Sequence, residues 1–169
     1  MKVWHNVHCS DTWANREQQT TPAAWQNRLF TALKTVVADY TATVITEIQP
    51  DIIQSGNEIN SGLLWPKGNL IEQESQCLEL LSVASTTIKT QSPTTKIMIH
   101  NAGISSGATW FFNKMNSVDY DYIGLSYYPI WHGKSLNDVK STINSLGQTH
   151  NKKVVLAEIA YPFTLSWND

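Results

Sequence analysis

The chain has 169 residues, 41% of them apolar and 15% charged, with a formal net charge of −2. That is enough apolar material for one sizeable core, and the charge gives no reason to expect nucleic acid or an anionic membrane as partner. No apolar run approaches the roughly 20 residues needed to span a bilayer, and the opening Met1-Lys2-Val3-Trp4-His5 lacks the apolar core of an export signal.

The first strand is expected over Val3–Cys9, a short apolar run of the length of a buried parallel strand. A helix follows, with Leu29, Leu33, Val36, Val37 and Tyr40 at helical spacing and the pattern running on through Val44 and Ile48. Asp51–Gly56 reads as the second strand, and about Ile71 to Lys89 as the second helix, with Leu78, Leu81, Ala84 and Ile88 on one face. Lys96–His100 is the third strand, Ala108–Asn116 a short helix, and Tyr122–Ser126 the fourth strand. The last helix opens at Ser135, with Asp138 three residues on in the manner of a capping box, and carries Leu136, Val139, Ile143 and Leu146. Lys153–Ala157 is the fifth strand.

Strands alternating with helices argue for a parallel sheet covered by helices, either a (β/α) barrel or an open doubly wound sheet. No repeat, linker or low-complexity stretch divides the chain, so residues 1–169 read as one unit. Five strands do not close an eight-stranded barrel, which typically takes about 250 residues. On the barrel reading the chain is a piece of one, with unpaired edges at both ends.

In parallel α/β architectures reactive groups gather where strands end, because the loops that follow form the functional face. Two strand ends carry a glutamate: Glu58, after Ile52-Ile53-Gln54-Ser55-Gly56-Asn57, and Glu158, after Val154-Val155-Leu156-Ala157. A carboxylate in so half-buried a place needs a partner or a purpose. The plain alternative is an ion pair with Lys or Arg. The chemical alternative is a retaining glycosidase, in which one carboxyl is a protonated acid and the other an ionised nucleophile about 5–5.5 Å away.

Four ordered stretches bear on that choice. Gly56-Asn57-Glu58-Ile59-Asn60-Ser61-Gly62-Leu63-Leu64-Trp65-Pro66 resembles the signature of glycoside hydrolase family 53, the arabinogalactan endo-β-1,4-galactanases. His8-Cys9-Ser10-Asp11-Thr12-Trp13-Ala14-Asn15, with Pro22-Ala23-Ala24-Trp25 behind it, resembles that family's third-strand motif. Ile123-Gly124-Leu125-Ser126-Tyr127-Tyr128-Pro129-Ile130-Trp131-His132-Gly133 resembles its sixth, and Glu158-Ile159-Ala160-Tyr161-Pro162-Phe163-Thr164 its seventh. The similarity covers nearly the whole chain.

The resemblance implies a (β/α)8 TIM barrel of which this chain covers strands three to seven. It also implies endo-acting, retaining hydrolysis of β-1,4-galactan, with Glu58 as acid/base and Glu158 as nucleophile. Asn57 would bond the sugar 2-hydroxyl, and Tyr127 would orient Glu158, with Tyr128 as its competitor. His8, Asp11, Trp13, Trp65, Trp131 and His132 would meet the polysaccharide along the rim. A polymeric substrate implies a secreted or cell-surface enzyme, expected as a monomer. No organic cofactor is needed, and a calcium site that some members carry beyond strand seven is not visible.

The sequence also departs from the pattern. Strands one, two and eight have no counterpart, so an arginine that usually supports the nucleophile from strand two and a tryptophan usually brought by strand eight have no candidate; Trp167 belongs to a loop. Cys9 stands where the family usually has an aromatic. The expectation is a fragment of a longer protein with little activity by itself, or a non-catalytic galactan-binding remnant.

Other motifs compete less well. Gly103-Ile104-Ser105-Ser106-Gly107 matches a nucleophile elbow, but Asn101 and Ala102 lengthen a turn that must be tight. His5, His8 and Cys9 look like a metal cluster, yet His5 and His8 face opposite sides of a strand. Cys9 and Cys77 allow one disulfide or two thiols. The seven Trp, six Tyr and four Phe are a weak hint of sugar stacking beside the ordinary reading as core.

Overall fold

Apolar runs rich in Ile and Val pair laterally in the computed structural model, which describes residues 1–160. They form β1 (Trp4–Val7), β2 (Ile52–Ser55), β3 (Lys96–Ala102), β4 (Tyr122–Tyr127) and β5 (Lys153–Ile159). All neighbours are parallel, and the spatial order is the chain order, β1-β2-β3-β4-β5. A doubly wound sheet would reverse its order at a switch point. Adding each strand to the same edge is instead how a (β/α) barrel grows, so the sheet is an arc of a barrel, with β1 and β5 its outer strands.

Between the strands run α1 (Phe30–Ile48), α2 (Glu74–Gln91), α3 (Ser106–Lys114), a one-turn α4 (Pro129–His132) and α5 (Leu136–His150). Helix α1 buries Leu33, Val37, Thr41, Val44 and Ile45, a stripe at helical spacing laid on the sheet. The expected cap at Ser135 is present: its Oγ accepts the Asp138 N–H at 3.3 Å, satisfying one of the free amides of the first turn of α5. Helices α1 and α5 both end on a left-handed residue, Gln49 and Asn151.

The strands exceed their sequence boundaries at the functional end. β3 runs two residues past His100, and β5 runs through Glu158 to Ile159. Polar residues continue these ladders because each backbone group still finds its partner on the adjacent strand. Glu158 therefore lies within β5 rather than beyond it. α4 has no apolar period long enough to announce a helix; Pro129 at its first position starts it. Tyr161, Pro162, Phe163, Thr164 and Trp167 lie outside the described residues.

Cys9 and Cys77 are free thiols, each pushed up to about 12 by burial. Ser105 caps α3, its Oγ accepting the Gly107 N–H at 3.3 Å, and so serves a helix end rather than an elbow.

Candidate active site

The carboxyl ends of the five strands form one rim, and the side chains alternate there between the barrel axis and the helix-facing core. After β2, Gly56 turns the chain at φ 91°, where a Cβ would stand 2.6 Å from Ile59 Cγ2. Two residues later Glu58 itself takes a left-handed φ of 48°, an uncommon backbone state for a residue with a side chain. Its Oε1 accepts the Ser126 hydroxyl at 2.6 Å, and its backbone N–H donates to His100 Nδ1 at 3.2 Å.

Glu158 is the register partner of Ser126, across a bulge between β4 and β5. Its Oε2 accepts the Tyr128 hydroxyl at 2.7 Å. Burial pushes the Glu158 carboxyl above its ordinary range. The Tyr128 bond works against that shift, and the charge of Glu58 adds to it. Neither glutamate has a Lys or Arg partner among the ion pairs of the described residues, so the ordinary explanation of a rim carboxylate does not hold here.

Both glutamates line one open cleft of about 400 Å³, together with Trp13, Asn15, Arg16, Glu17, Tyr128, Trp131 and His132. Trp13 and Trp131 are about 70% exposed (72% and 71%), and large indole faces left in water beside a cleft are platforms for a sugar ring. Burial and Arg16 hold His132 below its ordinary range against the pull of Glu58. Burial holds His8 down as well, again against Glu58.

The structure brings together Glu58, Glu158, Trp13, Trp131 and His132 on the cleft wall, with His8 packed on Trp13 at 4.7 Å between ring centroids. It corrects the expectation for Tyr127, whose side chain is buried in the core and donates to the Gly133 carbonyl at 2.8 Å. Side chains alternate along β4, so with Ser126 and Tyr128 turned to the axis, Tyr127 must turn away. Tyr128 holds Glu158 instead.

Three further residues stand off the cleft wall. Asn57 is buried, its Oδ1 accepting from Asn6 and Gln54 and its Nδ2 donating to the Ala14 carbonyl. Trp65 is tied to the Ser61 carbonyl through its indole N–H at 2.9 Å. Asp11 accepts the Ala23 N–H at 2.7 Å and braces the loop after β1.

The sequence reading passed over His100, Ser126, Gln54 and Arg16. A signal existed for two: His100 closes an apolar strand at the level of the rim, and Ser126 sits inside the quoted motif, two residues before Tyr128. Among the described residues no three His, Cys, Asp or Glu side chains converge as a metal site would require.

The family model for glycosyl hydrolase family 53 matches residues 1–169. An arabinogalactan endo-β-1,4-galactanase A from Aspergillus niger is 32% identical over 181 residues, covering 96% of this chain and 51% of that protein. An arabinogalactan endo-β-1,4-galactanase from Thermothelomyces thermophilus is 34% identical over 178 residues, covering 96% of this chain and 53% of its own length. The solved family 53 catalytic domain from Ignisphaera aggregans superposes with a TM-score of 0.92 at 35% identity, over 99% of this chain and 48% of that one. The chain thus spans about half the length of the curated relatives it matches.

Proposed function

The chain belongs to glycosyl hydrolase family 53, and on that premise we propose that it carries both catalytic carboxyls of a retaining endo-β-1,4-galactanase. The observation that carries the proposal is the pairing of Glu58 and Glu158 on one cleft, without a cationic partner for either among the described ion pairs.

In the first step Glu158 attacks the anomeric carbon and forms a galactosyl–enzyme ester, while the bond to the leaving oxygen breaks and Glu58 gives that oxygen its proton. In the second, water replaces Glu158 at the anomeric carbon and surrenders a proton to Glu58, so both groups return to their starting states. Tyr128, by donating to Glu158, holds the attacking oxygen's carboxyl in place and favours its ionised form. Trp13 and Trp131 would stack on galactose rings at either side of the reacting bond. The polymeric substrate argues for action outside the cell, and no described helix is long and apolar enough to cross a membrane.

The test is hydrolysis of β-1,4-galactan by the full-length product of this gene, with β-1,4-mannan as control and with Glu58→Ala and Glu158→Ala variants. Release of galacto-oligosaccharides, lost in both variants, is the expected result. A folded protein with no turnover would leave a galactan-binding remnant and end the catalytic reading.

A further inference from the structure

His100 sits on β3 with its imidazole wholly buried, and its surroundings dictate where its proton lies. Nδ1 faces two donors, the backbone N–H of Glu58 at 3.2 Å and the Gln54 side-chain amide at 2.9 Å. A backbone N–H cannot turn round to accept, so Nδ1 must be the lone-pair nitrogen. The Gln54 amide nitrogen also meets the Gly56 carbonyl at 3.3 Å and Asn6 Oδ1 at 2.9 Å, which fixes its orientation as a donor. The one ring proton is therefore on Nε2, and burial, which holds His100 down to about 4, keeps the ring neutral.

From there the chain of donors has a single direction. Nε2 lies 3.0 Å from Ser126 Oγ and donates to it. The serine hydroxyl, accepting there, donates its one hydrogen onward to Glu58 Oε1 at 2.6 Å. The path leaves Glu58 through its own N–H and returns through its own carboxyl. With the left-handed backbone at Glu58, its N–H reaches His100 while its carboxyl reaches Ser126, and a strained backbone state of this kind persists where its surroundings hold it.

We propose that His100 and Ser126 are positioning residues that lock Glu58 so that its acidic proton is held on Oε2. A carbonyl oxygen accepts a hydroxyl hydrogen better than the oxygen of a carboxylic O–H does, so donation from Ser126 to Oε1 makes Oε1 the carbonyl and favours the proton on Oε2. Oε2–H breaks as the leaving oxygen's O–H forms, and the electron pair stays on Glu58. In the return step Oε2 takes the proton of the attacking water. Ser126 never gives up its hydrogen. This rests on the reading of Glu58 as acid/base.

Other titrating groups also face Glu58, namely His8 and His132 from the loops after β1 and β4, Tyr128, and Glu158 from β5. The test must separate Ser126 from them. The full-length protein and its Ser126→Ala and Ser126→Thr variants are assayed on galactan and on a 2,4-dinitrophenyl β-galactobioside, whose leaving group needs no acid. Without the Ser126 donor the charged carboxylate loses a hydrogen bond, so in Ser126→Ala the alkaline limb of kcat/KM on galactan moves up by about one pH unit. The galactan kcat falls about tenfold, the dinitrophenyl rate stays within about twofold, and Ser126→Thr restores the limb. Because Ser126→Ala strands a buried N–H and can unfold, ¹⁵N NMR of the unmutated protein is read in parallel, with His100 expected as the neutral Nε2–H tautomer from pH 5 to 8.

An Nδ1–H tautomer, or an unmoved alkaline limb with equal losses on both substrates in a folded Ser126→Ala protein, overturns the proposal. The acid reading is checked apart from it. Glu58→Ala should lose galactan turnover while keeping dinitrophenyl turnover that azide accelerates. If Glu58→Ala still cleaves galactan, the acid reading falls, and the lock with it.

Discussion

Tyr128→Phe removes one hydroxyl and nothing else, which makes it the sharpest probe of the nucleophile. Its bond to Glu158 is short, 2.7 Å, and O–H donation to a carboxylate contributes about 1.5–3 kcal/mol. At about 1.4 kcal/mol per pH unit, that stabilisation of the charged form corresponds to roughly one to two units. Glu158 is only half-buried, and water takes up part of the loss, so the lower figure of about one unit applies. Burial and the charge of Glu58 already push Glu158 up, and without the hydroxyl nothing named here opposes them. The acidic limb of kcat/KM, which reports ionisation of the nucleophile in the free enzyme, should rise by about one unit. At a pH below both limbs the rate should fall about tenfold. Tyr127→Phe is the matched control: it loses a bond to the Gly133 carbonyl and should cost stability without moving the limb. If the limb moves in Tyr127→Phe and not in Tyr128→Phe, the assignment from strand alternation is wrong.

Two further outcomes follow from buried titrating groups. Glu158 has a folded pKa above its ordinary 4.5, so between the two values the native state holds the proton that the unfolded chain has lost, and stability falls as pH rises. Glu158→Gln should therefore melt higher than the parent at pH 7, with the gap closing near pH 4, as differential scanning calorimetry would show. An equal gap at both pH values would contradict it. His100 goes the other way: depressed from 6.5 to about 4, it contributes stability that is complete above 6.5 and lost as pH falls toward 4. That loss is about 3 kcal/mol by linkage. Urea unfolding of a His100→Gln variant should show a correspondingly flatter pH profile.

The alternation of strand and helix was legible because apolar runs of strand length and helical stripes such as Leu33 and Val37 report burial directly. The choice between barrel and doubly wound sheet was not, since both produce the same alternation, and only the spatial order of strands separates them. In the site, the two glutamates were visible as charges at the ends of apolar strands. The roles of Tyr127 and Tyr128 were not, because two adjacent tyrosines turn to opposite faces and neither residue type announces which face meets the axis. His100 was passed over for a related reason. Its importance lies in a hydrogen bond from the backbone of Glu58, forty-two residues away, and a backbone donor leaves no mark in the sequence.

The two carboxyls can be tested as a pair by using one as a voltmeter for the other. Glu58 must hold its proton in the working form while Glu158 is ionised, so at the acidic limb Glu58 is neutral, and a neutral glutamine in its place leaves that limb where it was. The test is best read on the dinitrophenyl galactobioside, where loss of the acid leaves the first step intact. There the acidic limb should stay in place in Glu58→Gln, and adding Tyr128→Phe should raise it as it does in the parent, because the two changes act through separate partners. A limb that moves down in Glu58→Gln would mean that Glu58 is charged while Glu158 still titrates, since a charged Glu58 raises the Glu158 pKa. Glu158 would then be the carboxyl that keeps its proton in the pair. That single result would leave the family membership untouched and reverse the roles of acid and nucleophile.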